Sequence, residues 1–242
     1  MRHARNQYKH SIGRIVVEGG QRLQAKKVLL VALILILVVA AAFVGTQVWS
    51  NFTNRINTVY PEIREYNGTR LSSINDFRLE AIKGIQYINV SSCRLVVTGL
   101  VQNETVYTYD DLVNNHTSYE KVVTLHCVEG WEVTALWQGV RVKDLLEEAG
   151  YNQSAPVLIF YAQDGYATSL PLSYVVGNNI MIAYKVNNVT LPPEEGFPFQ
   201  LVAEGKLGYK WIKWVTKIEV SNNVNFRGYW ESNGYRNDAS YP

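Results

Sequence analysis

The chain contains two cysteines, Cys93 and Cys127, among its 242 residues. A thiolate is a soft, strong ligand, and a single one can hold a redox metal whose other ligands come from a cofactor. The bland alternative is a Cys93–Cys127 disulfide, the usual pairing in an exported domain. The surroundings of Cys127 favour the first reading. It sits in Leu125-His126-Cys127-Val128-Glu129-Gly130-Trp131, where a β-branched run meets an acid and a turn glycine. In a strand His126 would point away from the face that Cys127 occupies, so it is not expected to be a second ligand. No Cys-X-X-Cys-His haem motif and no iron–sulfur cysteine set occurs. Any electrons for a metal at Cys127 must therefore come from a partner.

Further motifs follow in order. They are Trp137-Gln138-Gly139-Val140, Lys143-Asp144-Leu145-Leu146, Asp164-Gly165-Tyr166 with Ser169-Leu170-Pro171-Leu172, and Gly196-Phe197-Pro198. Leu207-Gly208-Tyr209-Lys210-Trp211-Ile212-Lys213-Trp214 and Gly228-Tyr229-Trp230-Glu231 with Gly234-Tyr235 complete the set. Together these resemble the sulfite-oxidase-fold molybdopterin-binding oxidoreductases over about residues 83–240. Within them the style is that of the catalytic subunit of periplasmic protein-methionine-sulfoxide reductase.

The resemblance implies an enzyme in which Cys127 supplies the one protein thiolate to molybdenum. The remaining ligands would be a molybdopterin dithiolene and oxo or water groups, with the cofactor in its plain, nucleotide-free form. It places Lys213, and more weakly Lys210, near the pterin or its phosphate, where an ammonium offers a point charge and three donors. Glu129 resembles a glutamate near the metal that relays protons; the alternative is a solvated loop acid. Asp164 and Tyr166 match the family's Asp-Gly-Tyr, although Asp164 has a simpler use in capping the turn at Gly165. Trp131, Trp137 and Trp230 read as core or pocket wall.

The chain also departs from that pattern. Where members carry an arginine for the anionic end of the cofactor, Phe199-Gln200-Leu201 has Gln200, which cannot supply a charged bidentate fork. The Arg/Asn/His cluster that opens many members' pterin sites has no evident counterpart; Arg78, Lys83 and Gln86 are the substitutes at hand. No arginine cluster of the kind that recognises sulfite is present. The resulting expectation is oxygen-atom transfer, either reduction of an S-oxide or N-oxide or oxidation of a small anion. The substrate would be a small molecule or an oxidised sulfur, and a membrane haem or quinol-linked protein would supply electrons. The alternative is a non-catalytic extracellular binding module of the same fold that has lost the cofactor.

Strands must position most of these residues. Runs rich in Val, Ile and Tyr predict strands at Cys93–Val101, Glu120–Cys127, Val157–Ala162, Ile180–Val186, Phe199–Ala203 and Trp211–Val220. Asn187-Asn188 reads as a turn. Helices are predicted near Asp110 and over Val140–Ala149, the second stopped by Gly150. Asp76–Ile82 reads as a short helical turn. The class is α+β, with mixed β-sheets or a barrel and short helices, after one N-terminal transmembrane helix.

That helix is read from Val28–Trp49, which carries no charge and is long enough to span about 30 Å of hydrocarbon. A cleaved signal peptide would have a shorter apolar run. Residues 1–50 hold seven Lys/Arg and one acid, a net +6, leaving 16 basic against 20 acidic residues, or −4, for the rest. The positive-inside rule puts residues 1–27 in the cytoplasm and the C-terminal domain outside, as an extracellular or periplasmic body on the cell membrane. Asn-X-Ser/Thr triplets at Asn51, Asn67, Asn89, Asn103, Asn115, Asn152 and Asn188 all follow the span. They are acceptor patterns for glycosylation, which fits a glycoprotein on an archaeal surface or in a secretory lumen. The domain boundaries expected are a stalk and entry segment over 50–82 and a molybdopterin-binding oxidoreductase domain over 83–242. A mildly acidic folded part offers no basic face for nucleic acid.

Overall fold

The computed structural model describes residues 62–241. The expected cytoplasmic segment 1–27, the expected span 28–49 and stalk residues 50–61 lie outside the described residues.

The chain enters through a small hairpin, β1 (Glu65–Tyr66) and β2 (Thr69–Arg70). Its Asn67-Gly68 turn has both residues at positive φ, the geometry that favours this pair in tight hairpins. Residues 62–82 belong to the expected stalk and entry segment, and they are tied into the fold. Leu71 is buried, Ser72 N–H donates to the Thr134 carbonyl, and Glu62 accepts from Ile74 N–H and Asn187 Nδ2. A polar segment carrying one apolar anchor shows no periodicity, although its backbone is tied to a sheet. The helical turn expected at Asp76–Ile82 is corrected. A single 3₁₀ turn runs over Ile74–Asp76, capped by Ser73, and residues 77–82 continue without helix.

Two five-stranded sheets follow. The first contains β3 (Leu95–Gly99), β4 (Thr105–Tyr107), β7 (Val157–Ala162), β8 (Ala167–Pro171) and β12 (Val215–Ser221), in the order β4-β3-β12-β7-β8. It is mixed, because β12 runs parallel to β3 and antiparallel to β7. The second contains β5 (Tyr119–His126), β6 (Glu132–Arg141), β9 (Met181–Val186), β10 (Val189–Thr190) and β11 (Gln200–Val202). Its order is β10-β9-β6-β5, with β11 also on β9. Inward side chains of both sheets share one core, which includes Leu95, Phe160, Ile218, Trp137, Ile182 and Leu201.

The helices are short: α1 (Tyr109–Asn114), α2 (Val142–Ala149), α3 (Leu172–Gly177) and α4 (Tyr229–Ser232). Thr108 and Asp111 form a reciprocal capping box on α1. In α2, Val142, Leu145, Leu146 and Ala149 bury one stripe, and Gly150 ends the helix in the left-handed conformation. The helix expected from Val140 begins later because β6 runs through Arg141. Its register shifts between Gln138 and Gly139 where it meets β9. A Cβ on Gly139 would lie 2.0 Å from the Ile182 carbonyl oxygen, so only glycine lets the two backbones cross there.

Candidate active site: a thiol at the tip of a hairpin

Cys127 opens the loop between β5 and β6. Its N–H donates to the Trp131 carbonyl at 2.9 Å, and Gly130 N–H returns to the Cys127 carbonyl at 3.0 Å. Gly130 has φ +86°, which is why a glycine closes this turn. The loop leaves the Cys127 side chain half-buried and Val128 and Glu129 exposed. Both cysteines are free thiols, so the disulfide alternative is not what the structure shows. Cys93 is instead buried in the core, where burial pushes its thiol up to about 11.

The Cys127 thiol faces a cavity of about 420 Å³. Burial pushes this thiol up and the Glu80 and Glu129 carboxylates add to the effect, while N–H groups of Glu129 and Val128 oppose it. A coordinated metal deprotonates a thiol outright, whatever its resting state. His126 is turned away, as expected. It pairs with Glu132 at 3.0 Å and stacks on Tyr241. Among the described residues no three His, Cys, Asp or Glu side chains converge to hold an ion, so a metal here would take most of its ligands from a cofactor.

A parallel bridge from His126 to Leu207 brings the segment after β11 against the hairpin tip. Its 3₁₀ turn, Gly208–Lys210, carries the first of the two expected lysines, and Lys213 follows it. Lys213 lines the cavity. It donates to the Glu194 carbonyl at 2.7 Å and lies 3.2 Å from Glu195 Oε2, which leaves one of its three donors uncommitted. Lys210 does not line the cavity, and the expectation for it is corrected. It is fully buried, paired with Glu231, and donates to the Ser169 carbonyl and Asn237 Oδ1 at 2.9 Å each. All three of its donors are used in joining this turn to α4, β8 and the C-terminal segment.

Asp164 and Tyr166 both line the cavity. Asp164 Oδ1 accepts the Tyr166 N–H at 2.9 Å, so it also caps its turn. Burial pushes the Tyr166 phenol far up, and its O–H donates to the Tyr209 carbonyl. Tyr166 is thus a protonated wall residue whose donor is spent. Trp131 and Trp230 are wall, whereas Trp137 is core. Arg78 lines the rim. Gln86 does not line the cavity and donates to the carbonyl of Gly84. Lys83 Nζ lies over Gly165.

Sequence reasoning missed Glu195. It is 4% exposed, lines the cavity and is pushed up to about 7 by burial against the pull of Lys213. Its only signal in the sequence was its place before Gly196-Phe197-Pro198. Gln200 is completely buried at the same wall, and neither amide atom has a hydrogen-bond partner. The Trp131 indole N–H is likewise unpaired.

The sequence pattern of the oxidoreductase molybdopterin-binding domain matches residues 82–230. The chain belongs to the molybdopterin-binding oxidoreductase family. It is 35% identical over 150 residues to the uncharacterized oxidoreductase YuiH of Bacillus subtilis, covering 62% of this chain and 75% of that one. A protein of Azospira oryzae named as a protein-methionine-sulfoxide reductase subunit, YedZ1, is 31% identical over 193 residues, 78% of this chain and 70% of its own length. The crystal structure of the sulfane dehydrogenase SoxCD from Paracoccus pantotrophus shares the fold. Its TM-score is 0.55 at 24% identity, over 60% of this chain and 41% of that one.

The residues present fit the cofactor this family binds. Buried polar atoms are nearly always paired in folded proteins. Here the Gln200 amide and the Trp131 indole N–H are buried without a partner in two residues that line a concave site, which also holds a soft thiol and a lysine with a spare donor. A heterocycle rich in donors and acceptors, carrying a thiophilic metal, satisfies all of these at once.

Proposed function

We propose that this chain is a membrane-tethered oxidoreductase that transfers an oxygen atom to or from a small substrate at a molybdopterin bound in the Cys127 cavity. The observation that carries this reading is the free Cys127 thiol opening into a cavity whose inner wall is polar and unpaired. A cofactor-free binding module would be expected to have paired or lost those atoms, since each costs about 1–3 kcal/mol if left dry.

When bound, the group would supply a metal centre that exchanges an oxygen atom and two electrons with substrate. The chain supplies the rest. Cys127 gives the thiolate ligand. Lys213 would meet the pterin or its phosphate with its free N–H. Glu129, exposed beside Cys127, would carry protons between solvent and the reacting oxygen. Tyr229 and Trp230 narrow the mouth against water.

Reduction of an S-oxide or N-oxide consumes two protons and two electrons and releases one water, so it needs a donor such as a membrane haem or quinol-linked protein. The carboxylates of Glu80 and Glu129 flank the mouth, which favours such a neutral substrate over a small anion. Protein made in a molybdopterin-competent host is expected to carry about one molybdenum or tungsten per chain by elemental analysis. A metal-free and pterin-free product would sink the proposal.

The outward placement rests on the basic residues before Val28 and on the acceptor triplets. Asn67, Asn89, Asn103, Asn115 and Asn152 are exposed, and Asn188 is half-buried. Protease added to intact cells is expected to remove the domain and spare the basic N-terminal segment. A domain that resists until the cells are lysed would reverse the assigned topology.

A further inference from the structure

Six of the Asn-X-Ser/Thr triplets fall among the described residues, and the fold treats them unequally. Four are locked into secondary structure. Thr69 pairs with Tyr66 in β2, Thr105 with Val97 in β4, and Thr190 with Lys185 in β10. The hydroxyl residues of the Asn67, Asn103 and Asn188 triplets are therefore each held on a strand. The Thr105 hydroxyl is also buried, and Asn188 is itself half-buried at φ +68°. Asn115 caps the C-terminus of α1. Its N–H donates to the Asp111 carbonyl at 2.9 Å and its Nδ2 to Asp111 Oδ1 at 3.5 Å.

The other two triplets lie wholly in loops and are built alike. Ser91 N–H donates to Asn89 Oδ1 at 3.0 Å, and Ser154 N–H donates to Asn152 Oδ1 at 2.9 Å. The Asn89 carbonyl accepts from Ser92 N–H at 3.1 Å, and the Asn152 carbonyl accepts from Ala155 N–H at 3.0 Å. Each is an Asx turn closed inside a backbone turn. This geometry draws Oδ1 back toward the main chain and leaves Nδ2 facing outward. Neither Nδ2 has a protein partner among the described residues. Asn89, Ser91, Asn152 and Ser154 are all exposed.

We propose that Asn89 and Asn152 are glycan acceptors and that Asn67, Asn103, Asn115 and Asn188 are not. This rests on the outward placement of the domain proposed above and adds which side chains a transferase reaches on the folded chain. The donor is a lipid-linked oligosaccharide. Nδ2 bonds to the anomeric carbon, the bond from that carbon to the lipid phosphate breaks, and its electron pair leaves with the phosphate. One amide proton is released, and nothing is oxidised or reduced. A transferase has to enclose both the amide and the hydroxyl of its triplet. A loop allows that, whereas a paired strand or a helix end exposes only part of either. Neither acceptor lines the cavity. Asn152 precedes β7 at the sheet end where Val157 pairs with Ser221; the cavity residues Asp164 and Tyr166 follow the opposite end, where Ala162 pairs with Val215. A glycan there leaves the mouth open.

The test uses full-length protein purified from the membranes of its own cells, with occupancy read at each triplet by glycopeptide mass spectrometry. Glycan is expected on Asn89 and Asn152 and on none of the other four described positions. Ser91→Ala and Ser154→Ala keep each asparagine but remove its hydroxyl. Each is expected to lose one glycan, seen as a single downward step in mass, with metal content as in wild type. Bare Asn89 and Asn152, glycan on any of the other four, or no loss in the two serine variants overturns the proposal. Protease applied to intact cells separates the two failures. A bare domain that is cleaved overturns this assignment alone, and a bare domain that is protected overturns the outward placement with it.

Discussion

Cys127→Ser is expected to lose bound metal by more than about tenfold while the domain stays folded. Even a residue that only orients a metal ligand is worth about 10–100-fold in affinity, and here the ligand itself is removed. A serine hydroxyl is a hard donor that stays protonated at neutral pH, so it does not replace a soft thiolate. The exchange is nearly isosteric at a half-buried loop position, so unfolding stability should change by less than about 1 kcal/mol. Elemental analysis and a denaturant melt separate the two effects. Cys93→Ala is the companion measurement. Cys93 lies in the core and does not line the cavity, so metal content should hold even if stability falls. If Cys127→Ser kept full metal, the thiolate would have no part in holding it and the proposed chemistry would fall.

Lys210→Met is expected to destabilise the domain by about 3–5 kcal/mol, the usual result of removing one partner from a buried ion pair. Glu231 is 1% exposed and would keep only the Thr168 hydroxyl, which donates to it at 2.7 Å. Burial already pulls the Lys210 ammonium down from the ordinary lysine range, and Glu231 opposes that. For a domain of this size the loss corresponds to roughly 10 °C in melting midpoint. The mouth should suffer too, because α4 carries both Glu231 and the wall residues Tyr229 and Trp230. Lys121→Ala is the contrast. Its pair with Glu204 is about 40% exposed on both sides, so about 0–1 kcal/mol is expected. Similar losses in the two variants would show that the Lys210 pair is not a clamp.

Parts of the site were legible because they are local. The Cys127–Gly130 turn and the Asp164-Gly165-Tyr166 turn are each closed by a glycine at positive φ and by hydrogen bonds within a few residues. The opposite facing of His126 and Cys127 follows from strand alternation. The strands at Val157–Ala162 and Met181–Val186 read clearly because they lie inside their sheets and are apolar on both faces. β6 was missed because Trp137-Gln138-Gly139 breaks alternation at a bulge, and the need for that glycine comes from β9, distant in sequence.

The sequence by itself determined the chemistry on offer: one thiol in a glycine-closed loop, an ordered set of motifs around it, and a basic, uncharged-then-acidic layout along the chain. Side-chain type, turn residues and period are properties of neighbours, so they can be read without the fold. Only the tertiary structure decided which polar groups are spent and which are free. Lys210 and Lys213 are three residues apart and chemically identical, yet one has every donor committed to Glu231, Ser169 and Asn237 while the other faces the cavity. Gln200 became significant for the same reason, buried with neither amide atom paired. Burial and the absence of a partner are set by what packs from elsewhere in the chain, and no spacing along the sequence records that.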